Sequence, residues 1–166
     1  MPIPRIMLGG VPIVLHAGAP EQGINPIGGS TVLRMSDGAG VKMQHWQKAA
    51  GTISGSGWMP PGLAGLDYSQ PLELRSTKVI NHVGAGPEFT LQHTPRPDTA
   101  PWAQALIGDR WVRVASTFAA GVLTVPPVAG ATLYQACYMP VFSVFADPPT
   151  ETQGSSHGWS LNWEEA

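Results

Sequence analysis

"GWSLNWEEA", residues 158–166, places Trp159, Leu161 and Trp163 at alternate positions and fills the gaps with Ser160, Asn162 and Glu164. A period of two is that of a β-strand, whose successive side chains point to opposite faces. One face is therefore apolar and the other polar, and the adjacent Glu164 and Glu165 are sent to opposite sides. Segments at a chain end commonly fray and seldom hold large apolar side chains. This face needs a sheet to cover it, either the domain's own or a neighbour's.

The same period recurs toward the N-terminus. Ile6 and Leu8, then Val11, Ile13 and Leu15, flank Gly9-Gly10, a pair suited to the positive φ angles of a tight hairpin turn. "STVLRMSDG" and "VKMQHWQ" predict a second hairpin about residues 37–40. "TISGSGWMPPGLAGLDYSQPLELRS", residues 52–76, reads as a strand, a compact loop and a strand. Its Pro60-Pro61 interrupts any ladder, and Leu63, Leu66 and Tyr68 are placed to pack inward. Further strands are expected in "LELRSTKVINHV", "EFTLQH", "RWVRVAS", "GVLTVPP" and the long "ATLYQACYMPVFSVFAD", for a total of about nine or ten. Only "DTAPWAQALIGD" has the composition of a short helix, with Pro101 at a tolerated first-turn position.

These readings predict an all-β fold, a sandwich or barrel-like domain of short antiparallel strands with Pro/Gly-rich loops and extended arms. The expected organisation is one domain over 1–166, with N-terminal hairpins over 1–43, Pro-rich loops or arms over 94–104 and 147–158, and a C-terminal strand over 159–165.

Composition points the same way. Gly (20) and Pro (17) together exceed a fifth of the 166 residues, while charged residues make up only 12%. That is about half the usual charged share, and it suits a subunit covered by neighbours better than a freely diffusing monomer. The net charge of −2, with no basic run, gives no electrostatic case for nucleic acid. No stretch approaches the roughly 20 apolar residues of a membrane span. The N-terminal "MPIPRIMLGGVPIVLHAG" lacks the pattern of a secretory signal, so a cytoplasmic product is expected. Cys137 is the sole cysteine and has no internal disulfide partner.

Chemistry-bearing residues are thinly spread. His16, His45, His82, His93 and His157 lack the short spacing that places two ligands of one metal on a single element, and Cys137 is remote from them. Zinc ligation of the finger or ribbon kind is therefore excluded, and each lone His reads as a turn or strand-face residue; no metal ligand is assigned. Asp67 alone among the carboxylates stands in an apolar context. "SGSGW" places its second glycine one residue too early for a nucleophile elbow. No catalytic residues are assigned, and an enzyme, including a cell-wall hydrolase, is not expected. Trp46, Trp58, Trp102, Trp111, Trp159 and Trp163 suit a core and subunit contacts. Trp58, Leu66, Tyr68, Trp102, Trp159, Leu161 and Trp163 are accordingly the candidate interface residues. The alternative is a carbohydrate-binding β-sandwich recognising a glycan, for which Trp102 with Asp98 and Gln104 is the candidate platform.

The stretch "ISGSGWMPPGLAGLDYSQPLELR", with the closing "YMPVFSV", a proline-bearing loop and "GWSLNWEE", resembles virion proteins of tailed bacteriophages, in particular the ripcord-like component of contractile-tail baseplates. The resemblance runs from about Gln44 to Arg75 and from Ala131 to Ala166. It implies a structural protein of the tail or baseplate that packs around or next to the tail tube. It also implies partners that are further copies of itself in a ring, sixfold, and other tail or baseplate proteins. Assembly would take place in the host bacterial cytoplasm, and no cofactor is implied.

Overall fold

A computed structural model describes residues 3–166. Strands hold 58% of the described residues and helix 2%, so the fold is all-β, built of several antiparallel sheets. In chain order the strands are β1 (Met7–Leu8), β2 (Val11–Pro12), β3 (Glu21–Arg34), β4 (Gly40–Gly57), β5 (Leu72–Arg75), β6 (Ile80–Gly84), β7 (Glu88–Thr90), β8 (Thr94–Pro95), β9 (Trp102–Ile107), β10 (Arg110–Val114), β11 (Thr117–Ala119), β12 (Val122–Thr124), β13 (Ala131–Tyr138), β14 (Pro140–Ala146), β15 (Thr150–Gln153) and β16 (His157–Glu165). A 3-10 turn occupies Leu15–Ala17. The chain, read from sequence as one domain, divides into two compact units: Met1–Pro12 with Glu73–Phe142, and Ile13–Leu72 with Ser143–Ala166.

The first unit contains a small sandwich. β10, β9, β13 and β6 form one antiparallel sheet in that order, and β11, β12 and β7 form another. Phe89, Leu123 and Val125 pack against Ala103 and Ala136, with Leu91, Val114 and Tyr134 at the margin. Small alanines on the four-stranded sheet leave room for the larger side chains opposite, which lets the layers interdigitate. In the same unit β1 pairs with β2 around Gly9 (φ 55°) and Gly10 (φ 83°), as the Gly-Gly pair predicts. β1 also pairs with β5, Leu8 opposite Leu74, both fully buried.

The second unit is organised by complementary sequences. β16 pairs with β4 so that Trp159 stands opposite Gly55, Leu161 opposite Ile53 and Trp163 opposite Gly51. Paired residues on one face of an antiparallel sheet lie side by side, so each indole spreads over a residue with no side chain. The glycine-serine alternation of "GTISGSG" is the counterpart of the alternation in "WSLNW". Trp159, Leu161 and Trp163 are buried, while Ser160, Asn162 and Glu164 are exposed. The other edge of β16 is shared between β15 and the Val144–Ala146 end of β14. The C-terminal strand thus completes its own chain's sheet and is not donated to a neighbour. The loop after β4 closes on itself: Leu63 is fully buried and the Tyr68 hydroxyl donates to its carbonyl oxygen at 2.7 Å.

Other expectations are corrected. Residues 102–107 form strand β9, not a helix, because β10 and β13 pair with its two edges and its alternate residues Ala103 and Ala105 are fully buried. Pairing on both sides outweighs a weak helical propensity. Leu15 leaves the first hairpin for the 3-10 turn and is 79% exposed. The long apolar run after residue 131 is divided at Met139 into β13 and β14. The 94–104 and 147–158 segments, expected as loops or arms, hold β8 and the start of β9 in the first case and β15 and the start of β16 in the second.

Candidate functional site

The hairpin of β3 and β4 has an unusual distribution of exposure. Its strands pair from Glu21 opposite Ser54 to Arg34 opposite Gly40, and a register shift falls between Gly29 and Ser30. Near its base Ala49 and Ile53 are buried, but every residue from 31 to 48 is exposed, on both faces of the ribbon. Isolated two-stranded hairpins are marginally stable in water. This one has an ordered tip: the Met35 amide donates to the Ala39 carbonyl at 2.9 Å, the Gly38 amide to the Met35 carbonyl at 2.9 Å, and the Ala39 amide to Asp37 Oδ1 at 2.9 Å.

Apolar side chains are concentrated on this arm. Leu33 lies opposite Val41 and Thr31 opposite Met43, which makes one face apolar. On the other face Val32 lies opposite Lys42 and Arg34 opposite Gly40. A Cβ at Gly40 would lie 3.0 Å from Arg34 Nη1 and 3.5 Å from Val32 Cγ1, so the guanidinium lies across that glycine. Met35 is exposed at the tip, and Trp46, 51% exposed, sets its indole against Gly29. These exposed apolar side chains make the arm the candidate interaction surface, since removing such surface from water is favourable by about 25 cal/mol per Å².

The residues proposed from sequence are distributed otherwise. Trp58 is exposed beyond the end of β4, its ring 4.9 Å from that of His16 and its amide bonded to the His16 carbonyl at 3.0 Å. Leu66 and Tyr68 are half-buried in the loop that follows. Trp159, Leu161 and Trp163 are interior. Trp102 is half-buried, with the Arg113 guanidinium 5.7 Å from its ring centre. Asp98 is held by Arg96, Nε to Oδ1 at 2.8 Å and Nη2 to Oδ2 at 2.7 Å. A cation thus already stands over Trp102, and Asp98 is already paired with Arg96.

Asp67, expected in an apolar setting, is exposed. The Ser69 hydroxyl and amide donate to it at 2.6 and 3.0 Å and hold its carboxyl below the ordinary range. Ser56 faces Ser156 at 3.0 Å. Cys137 is buried in β13, and burial pushes its thiol pKa up. Among the described residues no three His, Cys, Asp or Glu groups stand together as a metal site, and no helix is long and apolar enough to cross a membrane. A cleft of about 720 Å³ in the first unit is lined by His93, Arg96, Pro97, Pro101 and Phe118 among others, with no tryptophan.

No protein-family model matches the chain, and no curated protein is significantly similar to it.

The arm's apolar faces were not singled out from sequence. The signal was present in Val41 and Met43 alternating with Lys42 and Gln44. What the alternation lacked was any sign that neither face would be covered by the rest of the chain.

Proposed function

We propose that the chain is a structural subunit of a bacteriophage virion, a ripcord-like tail or baseplate protein that packs around or next to the tail tube among copies of itself and other tail proteins. It would be assembled in the host bacterial cytoplasm. The observation that carries the reading is the β3–β4 arm, whose exposed Val32, Leu33, Val41 and Met43 offer apolar surface to a neighbour. A chain with few charges and an ordered apolar projection is suited to a lattice of neighbours, in which both the arm and the sparsely charged surface are buried. The resemblance of residues 44–75 and 131–166 to tail proteins supplies the setting. Mass spectrometry of gradient-purified phage particles tests the reading: the chain is expected at a fixed stoichiometry to the tail-tube protein, and its absence from particles overturns it.

A further inference from the structure

Deepening that reading by naming the partner, we infer that the basic face of the β3–β4 arm docks on an acidic cleft beside the C-terminal strand of a second copy of this chain. Residues 30–48 hold Arg34, Lys42 and Lys48 against Asp37, a net +2 in a chain of −2, which leaves −4 on the remainder. Two arms laid on one another would oppose like charges, so the arm's complement is a different surface of the neighbour.

The second unit offers one. A cleft of about 330 Å³ is lined by Tyr68, Phe145, Asp147, Asn162, Trp163 and Glu164 among others, with no basic residue in its wall. Phe145 is 50% exposed there. The Asp147 amide donates to the Asn162 carbonyl at 3.0 Å, which fixes one rim to β16. Glu151 stands opposite Trp159 on β15, and burial first, then the charge of Glu151, raises the Tyr68 hydroxyl pKa. Aromatic surface bordered by carboxylates on the cleft matches aliphatic Val32 bordered by Arg34 and Lys42 on the arm.

Contact between two different surfaces of like subunits is heterologous, and it propagates until a ring closes or a filament grows. The arm and cleft thus supply a head-to-tail connection between neighbours.

Light scattering coupled to size exclusion, run on the full chain over a concentration series, reads this directly. Wild type is expected to exceed the 17.5 kDa of one chain, with association weakened by salt. The exposed-site variants Arg34→Glu with Lys42→Glu, and separately Asp147→Lys with Glu164→Lys, are each expected to return the mass to one chain with unchanged circular dichroism. Combining all four exchanges the charges and is expected to restore the oligomer. A monomeric wild type, an oligomer indifferent to either charge reversal, or a combined variant that stays monomeric overturns the inference. So does arm-dependent sedimentation with phosphatidylglycerol vesicles by a chain that stays monomeric. A monomer that is nevertheless present in particles overturns this inference and leaves the subunit reading standing. A charge-dependent oligomer absent from particles does the reverse.

Discussion

The indole of Trp159 occupies the space that a side chain at Gly55 would need: a Cβ there would lie 2.8 Å from the ring. At Gly51 a Cβ would lie 2.9 Å from the Trp163 ring and would also meet the backbone carbonyl of Gly23. Large-for-small changes in a packed interior cost about 1–3 kcal/mol. Gly55→Ala is expected to lower the urea midpoint accordingly, and Gly51→Ala by more because a backbone atom cannot turn aside. Gly65→Ala, with open space around it, serves as the control and is expected to shift stability by less than about 0.5 kcal/mol.

Trp159 also ties the ends of its unit together, its Nε1 donating to the Ala17 carbonyl at 2.8 Å across 142 residues. Trp159→Phe keeps most of the apolar area and leaves that carbonyl unpaired, at a cost of about 1–3 kcal/mol. Deleting residues 158–166 removes the strand that pairs with β4, β14 and β15. Circular dichroism and proteolysis of the truncated chain should therefore show an unfolded second unit. A folded, protease-resistant product would contradict the assignment of this strand to its own sheet.

Arg96 is the buried cation of the first unit, its side chain 1% exposed. Beyond Asp98 it donates to the Arg5 carbonyl at 2.7 Å and the Ser76 carbonyl at 3.3 Å. Replacement by Met leaves these acceptors without their donor, and about 1–3 kcal/mol of stability should be lost. The hydrogen bond from Arg96 holds the Asp98 carboxyl below its ordinary 3.8. A depressed folded-state pKa stabilises the protein above the unfolded-state value and loses that contribution as pH falls through the folded-state value. The stability difference between wild type and Asp98→Asn should be constant near neutrality and shrink below about pH 4, as urea titrations at several pH values would show.

Cys137 reports on opening of the first unit. Buried, and with its thiolate disfavoured by desolvation, it should react with a thiol reagent many-fold more slowly in native buffer than in denaturant. Labelling at the rate of a free thiol under native conditions would contradict the packing of β13.

Local patterns reached much of this fold. Gly9-Gly10 and Asp37-Gly38 marked turns because few other residues accept those backbone angles, and the two-residue period of Trp159, Leu161 and Trp163 needed only the strand's own geometry. Residues 102–107 read as helix from sequence because Ala103, Ala105 and Leu106 favour helix in isolation, and only pairing with Arg110–Val114 and Ala131–Tyr138 makes them a strand. The interior place of the tryptophans was half legible. Alternation showed that one face was apolar, but that Gly51 and Gly55 lay opposite depends on long-range register. The arm was legible as a hairpin and not as a projection, since exposure depends on what the rest of the chain leaves uncovered.

A cryo-electron microscopy map of the tail end of phage particles, purified from a lysate in which this chain is produced, tests the proposed subunit reading most directly. Density for the two units repeated around the tail axis in sixfold order, with the arm of residues 30–48 covered by neighbouring protein, is the expected result. Particles whose tail density is fully accounted for without this chain would contradict it.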